Sequence, residues 1–244
     1  MRHTKMLVGL VAVGVLATGC GSGDSSSESK PAHADARDAE NAENAENDTK
    51  ESPQAAMPVA ITGPQSDVLT SSTDDKLKVR PEPPNTAPFT DRVEHKLREQ
   101  VLSSVKVPGK TSADCPDGVT QKAGAVSTCN VTYEGAVVPY EVKISDSYKE
   151  GSFMTFYNTK PLKGLVVAKA VYQTLYKQYG PESGRSDASK LACQKLPAAK
   201  AVALQTDSGL RCQYWSKYAG QGKGGYETLS VKAGSYGPTL EQMR

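Results

Sequence analysis

The chain has 244 residues, with 29 Lys and Arg against 27 Asp and Glu, and a hydrophobic share of 37%. That share lies below the roughly 45–50% of ordinary globular domains, so part of the chain is not expected to fold. The near-neutral total hides a segregation of charge. Cys20 to Asp91 holds 14 Asp and Glu against 6 Lys and Arg, whereas Arg92 to Arg244 holds 21 Lys and Arg against 13 Asp and Glu.

At the start, Arg2, His3 and Lys5 precede an apolar run from Met6 to Ala17. The run is about a dozen residues, short of the roughly 20 that a spanning helix needs, so residues 1–19 read as a cleaved export signal. Ala17-Thr18-Gly19-Cys20 resembles the lipobox of bacterial lipoproteins. The resemblance implies cleavage before Cys20, diacylglycerol on its thiol and an N-acyl chain such as palmitate. Acyl chains enter a bilayer at about 0.8 kcal/mol per buried methylene, so two or three make a stable anchor. The expected location is the extracytoplasmic face of the cell membrane. No second apolar run reaches membrane length, and no cofactor beyond this covalent lipid is expected.

Residues 20–87 are rich in Ser, Ala, Glu, Asn, Asp and Pro, and no aromatic residue occurs before Phe89. Such a composition buries too little apolar surface to offset its ordering entropy, which predicts a disordered acidic tether. As a coil it would have an r.m.s. span of about 45 Å. Ile61, Val68 and Leu69 are read as idle.

Val93, Leu97, Val101 and Val105 then recur every four residues, which predicts a helix over Arg92–Val105. Asp91 followed by Glu94 suggests a capping box. A second helical face runs through Leu165–Tyr179, closed by Gly180-Pro181. Each helix leads to a cysteine, then a second cysteine, then alternating strands. Val138, Tyr140, Val142 and Ile144 alternate after the Glu134-Gly135 turn, and Ser152–Tyr157 is expected to add a third strand. Leu210–Tyr218 and Tyr226–Ala233 read as strands joined by a Gly-rich loop, Gly220 to Gly225.

The fold expected is therefore α+β. It comprises two tandem helix-plus-antiparallel-sheet units, residues 88–160 and 161–244, after the disordered stalk. Four cysteines remain after Cys20, and an even number in an exported chain points to two disulfides. Three pairings are open. The internal repeat favours the local one, Cys115–Cys129 and Cys193–Cys212, which gives each unit its own clasp.

Cys115-Pro116, Lys122-Ala123-Gly124-Ala125, Thr128-Cys129-Asn130-Val131, Gly135 and Val142-Lys143-Ile144 together resemble a domain of unknown function found in actinobacterial cell-envelope lipoproteins. The resemblance spans about residues 89–147. It implies an exported helix-plus-sheet module with a disulfide and carries no catalytic residue. The second unit departs from it, since Gln194 rather than Pro follows Cys193.

No catalytic or metal-binding constellation can be assembled. His95 lies off the apolar stripe and reads as solvated, and the cysteine spacings suit disulfide loops better than zinc sites. Asp114 with Asp117, and Glu94 with Glu99, read as solvated charge. Gly220–Gly225 lacks the Gly-Lys-Ser/Thr end and the following helix of a phosphate loop. The expected function is non-enzymatic binding, toward an anionic wall polymer or an envelope protein, with no nucleic acid partner. Tyr214, Trp215 and Tyr218 beside Lys217 form the candidate contact surface. The alternative is an inhibitor-like module that binds a secreted or envelope enzyme, because the tandem outline resembles the secreted β-lactamase-inhibitory proteins.

Overall fold

A computed structural model of the chain describes residues 55–243. The leader, Cys20 and the tether up to Gln54 lie outside the described residues. In chain order the elements are β1 (Val59–Ala60), α1 (Phe89–Val105), β2 (Thr111–Asp114), β3 (Val126–Tyr133), β4 (Ala136–Ile144), β5 (Tyr157–Pro161), β6 (Gly164–Val167), α2 (Ala168–Tyr179), β7 (Ala188–Cys193), β8 (Ala199–Val202), β9 (Asp207–Ser216), β10 (Gly225–Gly234) and β11 (Gly237–Gln242). All strand pairs within the sheets are antiparallel, and the fold is α+β. One sheet has the order β2-β3-β4-β5, a second β1-β7-β9-β10-β11, and β6 pairs with β8 in a two-stranded ribbon. Among the described residues no helix is long and apolar enough to cross a membrane.

The four-residue stripe of α1 does what its period requires. Val93, Leu97, Val101 and Val105 are all buried and meet Val131, Val138, Tyr140, Val142 and Ile144 from one face of the four-stranded sheet. Strand alternation leaves the other face of that sheet uncovered. The β3–β4 hairpin turns on Glu134 and Gly135, both at positive φ (46° and 84°), as a two-residue turn with the twist of its strands needs. The second core gathers Val171 and Leu175 of α2 with Leu210, Cys212, Tyr214, Leu229 and Val231. Leu165, Val167 and Ala170 turn instead into the first core. The described residues form one compact unit.

The disulfides are Cys115–Cys129 and Cys193–Cys212. Cys193 and Cys212 are direct register partners on β7 and β9. Cys115 lies one residue beyond the Asp114–Asn130 pair of β2 and β3, so its bond likewise joins neighbouring strands.

Several expectations are corrected. The tether does not extend to Ala87, because residues 55–87 follow a fixed path over the unit. Leu77 is 1% exposed, Val79 and Ile61 are buried, and Val68 and Leu69 pack against the first core, so none of them is idle. The strap is also tied by its backbone. Ile61 N–H donates to Leu191 O at 2.8 Å and Leu69 N–H to Lys106 O at 2.8 Å. Gln65 N–H donates to Gln173 Oε1 at 2.6 Å, and Asp67 pairs with Lys169. An average over composition missed these contacts, because a strap on a preformed surface needs only one apolar anchor every few residues.

The second helix begins at Ala168, not Leu165. Leu165-Val166-Val167 is strand β6, buried on both faces, where β-branched residues fit better than in a helix. Ser152–Phe156 is loop, and the strand it was expected to form starts at Tyr157. The capping box is absent, since α1 starts at Phe89 behind Pro88 and no side chain caps it. The Glu94 carboxylate instead accepts the Cys115 N–H at 2.8 Å, fixing the disulfide loop to the helix.

Burial pushes the Tyr133 and Tyr140 phenols up to about 12, with the nearby Glu134 carboxylate adding to the Tyr133 shift. The folded values exceed the unfolded value of 10, so the folded state binds more protons in between. Their contribution is complete below pH 10 and is lost as pH rises toward 12. The melting temperature should therefore fall through that window, with tyrosinate absorbance appearing at unfolding rather than before it. Tyr140→Phe should make the decline shallower, and an equally steep decline in that variant would remove the phenol from the explanation.

Candidate functional site

Alternation along β9 divides the expected contact cluster. Leu210, Cys212, Tyr214 and Ser216 point toward α2, and Arg211, Gln213 and Trp215 point away from it. Tyr214 is therefore a core residue, 3% exposed and stacked on Tyr179 with ring centroids 4.2 Å apart. The Arg185 guanidinium lies 4.8 Å from the Tyr179 centroid and 5.3 Å from that of Tyr214, and Asp187 holds it there at 2.6 Å. That pairing keeps the Asp187 carboxyl below its ordinary range. Lys217 and Tyr218 lie past the end of the strand, both exposed, with Lys217 Nζ 5.0 Å from the Tyr218 ring centroid.

Trp215 takes the outer face and is half-buried there rather than covered by the helix. Its register partners are Tyr226 on β10 and Ser189 on β7. Tyr226 meets it edge-on at 5.2 Å, and Lys190 Nζ sits 4.6 Å from its ring centroid. Lys190 reaches it from a bulge, because Lys190 and Leu191 together stand opposite Tyr214 between the Ser189–Trp215 and Ala192–Gln213 pairs. The Gly-rich loop has a structural role beside this ring. A Cβ on Gly224, at φ +82°, would lie 2.9 Å from Trp215 Cζ2. The loop is glycine where it folds over the indole, which a reading of it as a bare hairpin connection does not reveal.

Tyr226 and Lys190, which flank Trp215, border a cleft of about 510 Å³, within the range of small ligand and side-chain pockets. Its walls include Met57 and Ile61 of the strap, Tyr176, Tyr179 and Pro181 at the end of α2, and Tyr226. The strap residues could not be anticipated at this site while residues 20–87 were read as a tether. Behind Trp215 on the same face, Gln213 is 1% exposed and its Nε2 has no hydrogen-bond partner.

His95 is not simply solvated. Its Nε2 lies 3.0 Å from Val79 O, so the ring pins the strap to α1. It borders an open hollow of about 600 Å³ with Asp91, Glu94, Arg98 and Pro81–Pro84. Two of these neighbours have structural partners: Glu94 on the Cys115 amide and Arg98 Nε on Thr111 Oγ1 at 3.3 Å. Glu99 accepts the Val79 N–H at 3.4 Å and pairs with Lys96. Asp114 and Asp117 flank Cys115 and show no ion pair among the described residues. No group of three or more His, Cys, Asp or Glu that could hold a metal ion occurs among the described residues. No known family, curated protein or solved structure matches the chain.

Proposed function

We propose that this chain is a lipid-anchored extracytoplasmic protein whose folded part is a non-enzymatic binding module that engages an envelope protein through the outer face of the β7-β9-β10 sheet. The observation that carries the reading is the group formed by Trp215, Tyr226 and Lys190 beside an apolar cleft. Large rigid aromatics at the edge of a desolvated pocket are the residues that dominate protein contact energies. Basic side chains on this face favour a protein over an anionic polymer, because Arg211 is paired with Asp207 and Lys232 with Glu241. Export is supported by the leader and Ala17–Cys20, and by two disulfides, which persist in oxidising compartments.

The element order supports the tandem reading. α1 is followed by the meander β2-β3-β4-β5, and α2 by β7-β9-β10-β11, with β8 branching off to β6. In both runs a disulfide joins the first strand, or the residue after it, to the second. This repetition favours the second reading, in which the partner is a secreted or envelope enzyme and the module its inhibitor.

One experiment addresses anchor and surface together. A photo-crosslinking residue replaces Tyr226 in the intact chain, expressed in its own host. A discrete adduct in the membrane fraction is expected, lost with Trp215→Ala while the thermal midpoint of the purified protein is kept. The mature chain should carry acyl lipid on Cys20 by mass spectrometry, and Cys20→Ser should leave it unlipidated or unprocessed. An adduct pattern indifferent to Trp215→Ala would sink the proposed surface, and a mature chain whose Cys20 carries no acyl mass would sink the anchor.

A further inference from the structure

The twelve residues between β4 and β5 carry an unusual set of side chains at their far end. Phe153 is 101% exposed, Met154 56% and Phe156 64%. The chain has three phenylalanines, and two of them stand here in solvent. Val126, 55% exposed, lies at the same end of the uncovered sheet face, opposite Lys143. Scattered exposed apolar residues need no explanation, but several contiguous large ones mark a contact surface.

The loop is built rather than slack. Tyr148 N–H donates to Ser145 O and Ser152 N–H to Lys149 O, both at 3.0 Å, and Ser145 N–H reaches Phe156 O at 2.9 Å. Gln121 Nε2 donates to Thr155 Oγ1 at 2.9 Å, tying the loop to the turn before β3. Tyr148 folds back onto the first core. The apolar tip is thus held outward by its own base.

We propose that this apex is a membrane-docking wedge, with a lipid bilayer surface as its occupant and Phe153, Met154 and Phe156 as the inserted side chains. A convex apolar tip suits a deformable medium, because it needs no complementary cavity. Its flanks have interfacial composition. Lys122 and Lys149 are exposed beside it, and Asp146 is neutralised by Lys143 at 3.2 Å, which leaves Glu150 as the unpaired acid of the loop among the described residues. Lysine stems can lie along the apolar surface while their ammonium groups stay at the headgroups. The inference rests on the lipoprotein reading only for a bilayer held within reach, where tethering raises the local concentration and makes a modest wedge sufficient.

A chain starting at Lys50 keeps the whole compact unit of described residues, with both cores and both disulfides, and lacks the lipid. It is floated with vesicles of phosphatidylcholine and phosphatidylglycerol. The expected result is flotation that survives high salt. Phe153→Ser with Phe156→Ser should lower partitioning by at least about tenfold, the size expected for two lost aromatic insertions. Trp215→Ala should leave it unchanged, which separates this wedge from the protein-contact surface. In a Trp215→Phe background, Phe153→Trp should shift its emission to the blue on adding vesicles. Three results would overturn the inference: no flotation, flotation indifferent to the two serine substitutions, or flotation abolished by salt.

Discussion

Starting the chain at Pro88 instead of Lys50 should lower its unfolding free energy by about 4 kcal/mol, read as an earlier urea midpoint. Removing the strap strips Leu77, Val79 and Ile61 from their sites. Each fully buried side chain of this kind is worth about 1.5–3 kcal/mol. The strap's hydrogen bonds and remaining contacts offset most of the entropy of ordering it, and the net loss stays below the sum of the three anchors. The Leu77→Ala change isolates the larger anchor. It should cost about 2–4 kcal/mol, since the leucine is 1% exposed against α1 and the vacated space is bounded by fixed elements. The slope with denaturant should fall in the truncated chain, as less surface is buried. Equal midpoints within about 0.5 kcal/mol would mean that the strap lies on the surface without supporting it.

That strap is also where the sequence was least legible. Periodicity located both helices, because α1 repeats its apolar residues every four positions and buries all of them. It located β3, β4, β9 and β10, whose alternating residues share one covered face. It failed at β6, where Leu165-Val166-Val167 abuts a true helical pattern and a buried strand has no alternation to distinguish it. It failed at β2 and β8, each only four residues long, too short for a pattern to stand out. The aromatic cluster was half legible. Parity alone separates Tyr214 from Trp215, but the partners that make Trp215 a site come from β7, β10 and the strap, which local sequence cannot bring together. Phe153 lies in the Ser152–Tyr157 span expected to form a strand, but the chain turns over Lys149–Ser152 and strand pairing starts only at Tyr157.

Replacing either cysteine pair by alanine should cost about 3 kcal/mol, and replacing both should leave a chain that is folded marginally or not at all at ambient temperature. The sequence separations are 14 and 19, and in the chain-entropy account loops of these sizes differ by only a few tenths of a kcal/mol. Near-equal losses are therefore the sharper expectation. Both bonds link neighbouring antiparallel strands whose register brings the cysteines face to face. All four cysteines are buried, which adds a small packing loss to each replacement. Urea titrations of Cys115→Ala/Cys129→Ala and Cys193→Ala/Cys212→Ala, each against the intact protein, make the comparison. A loss below about 1 kcal/mol for one pair would mean that its hairpin persists in the unfolded chain, so that the bond constrains little there. The larger consequence concerns where the protein can work. Two clasps of about 3 kcal/mol each are comparable to the whole stability of a domain this size, so the head should hold its fold where thiols are oxidised and lose it where they are reduced.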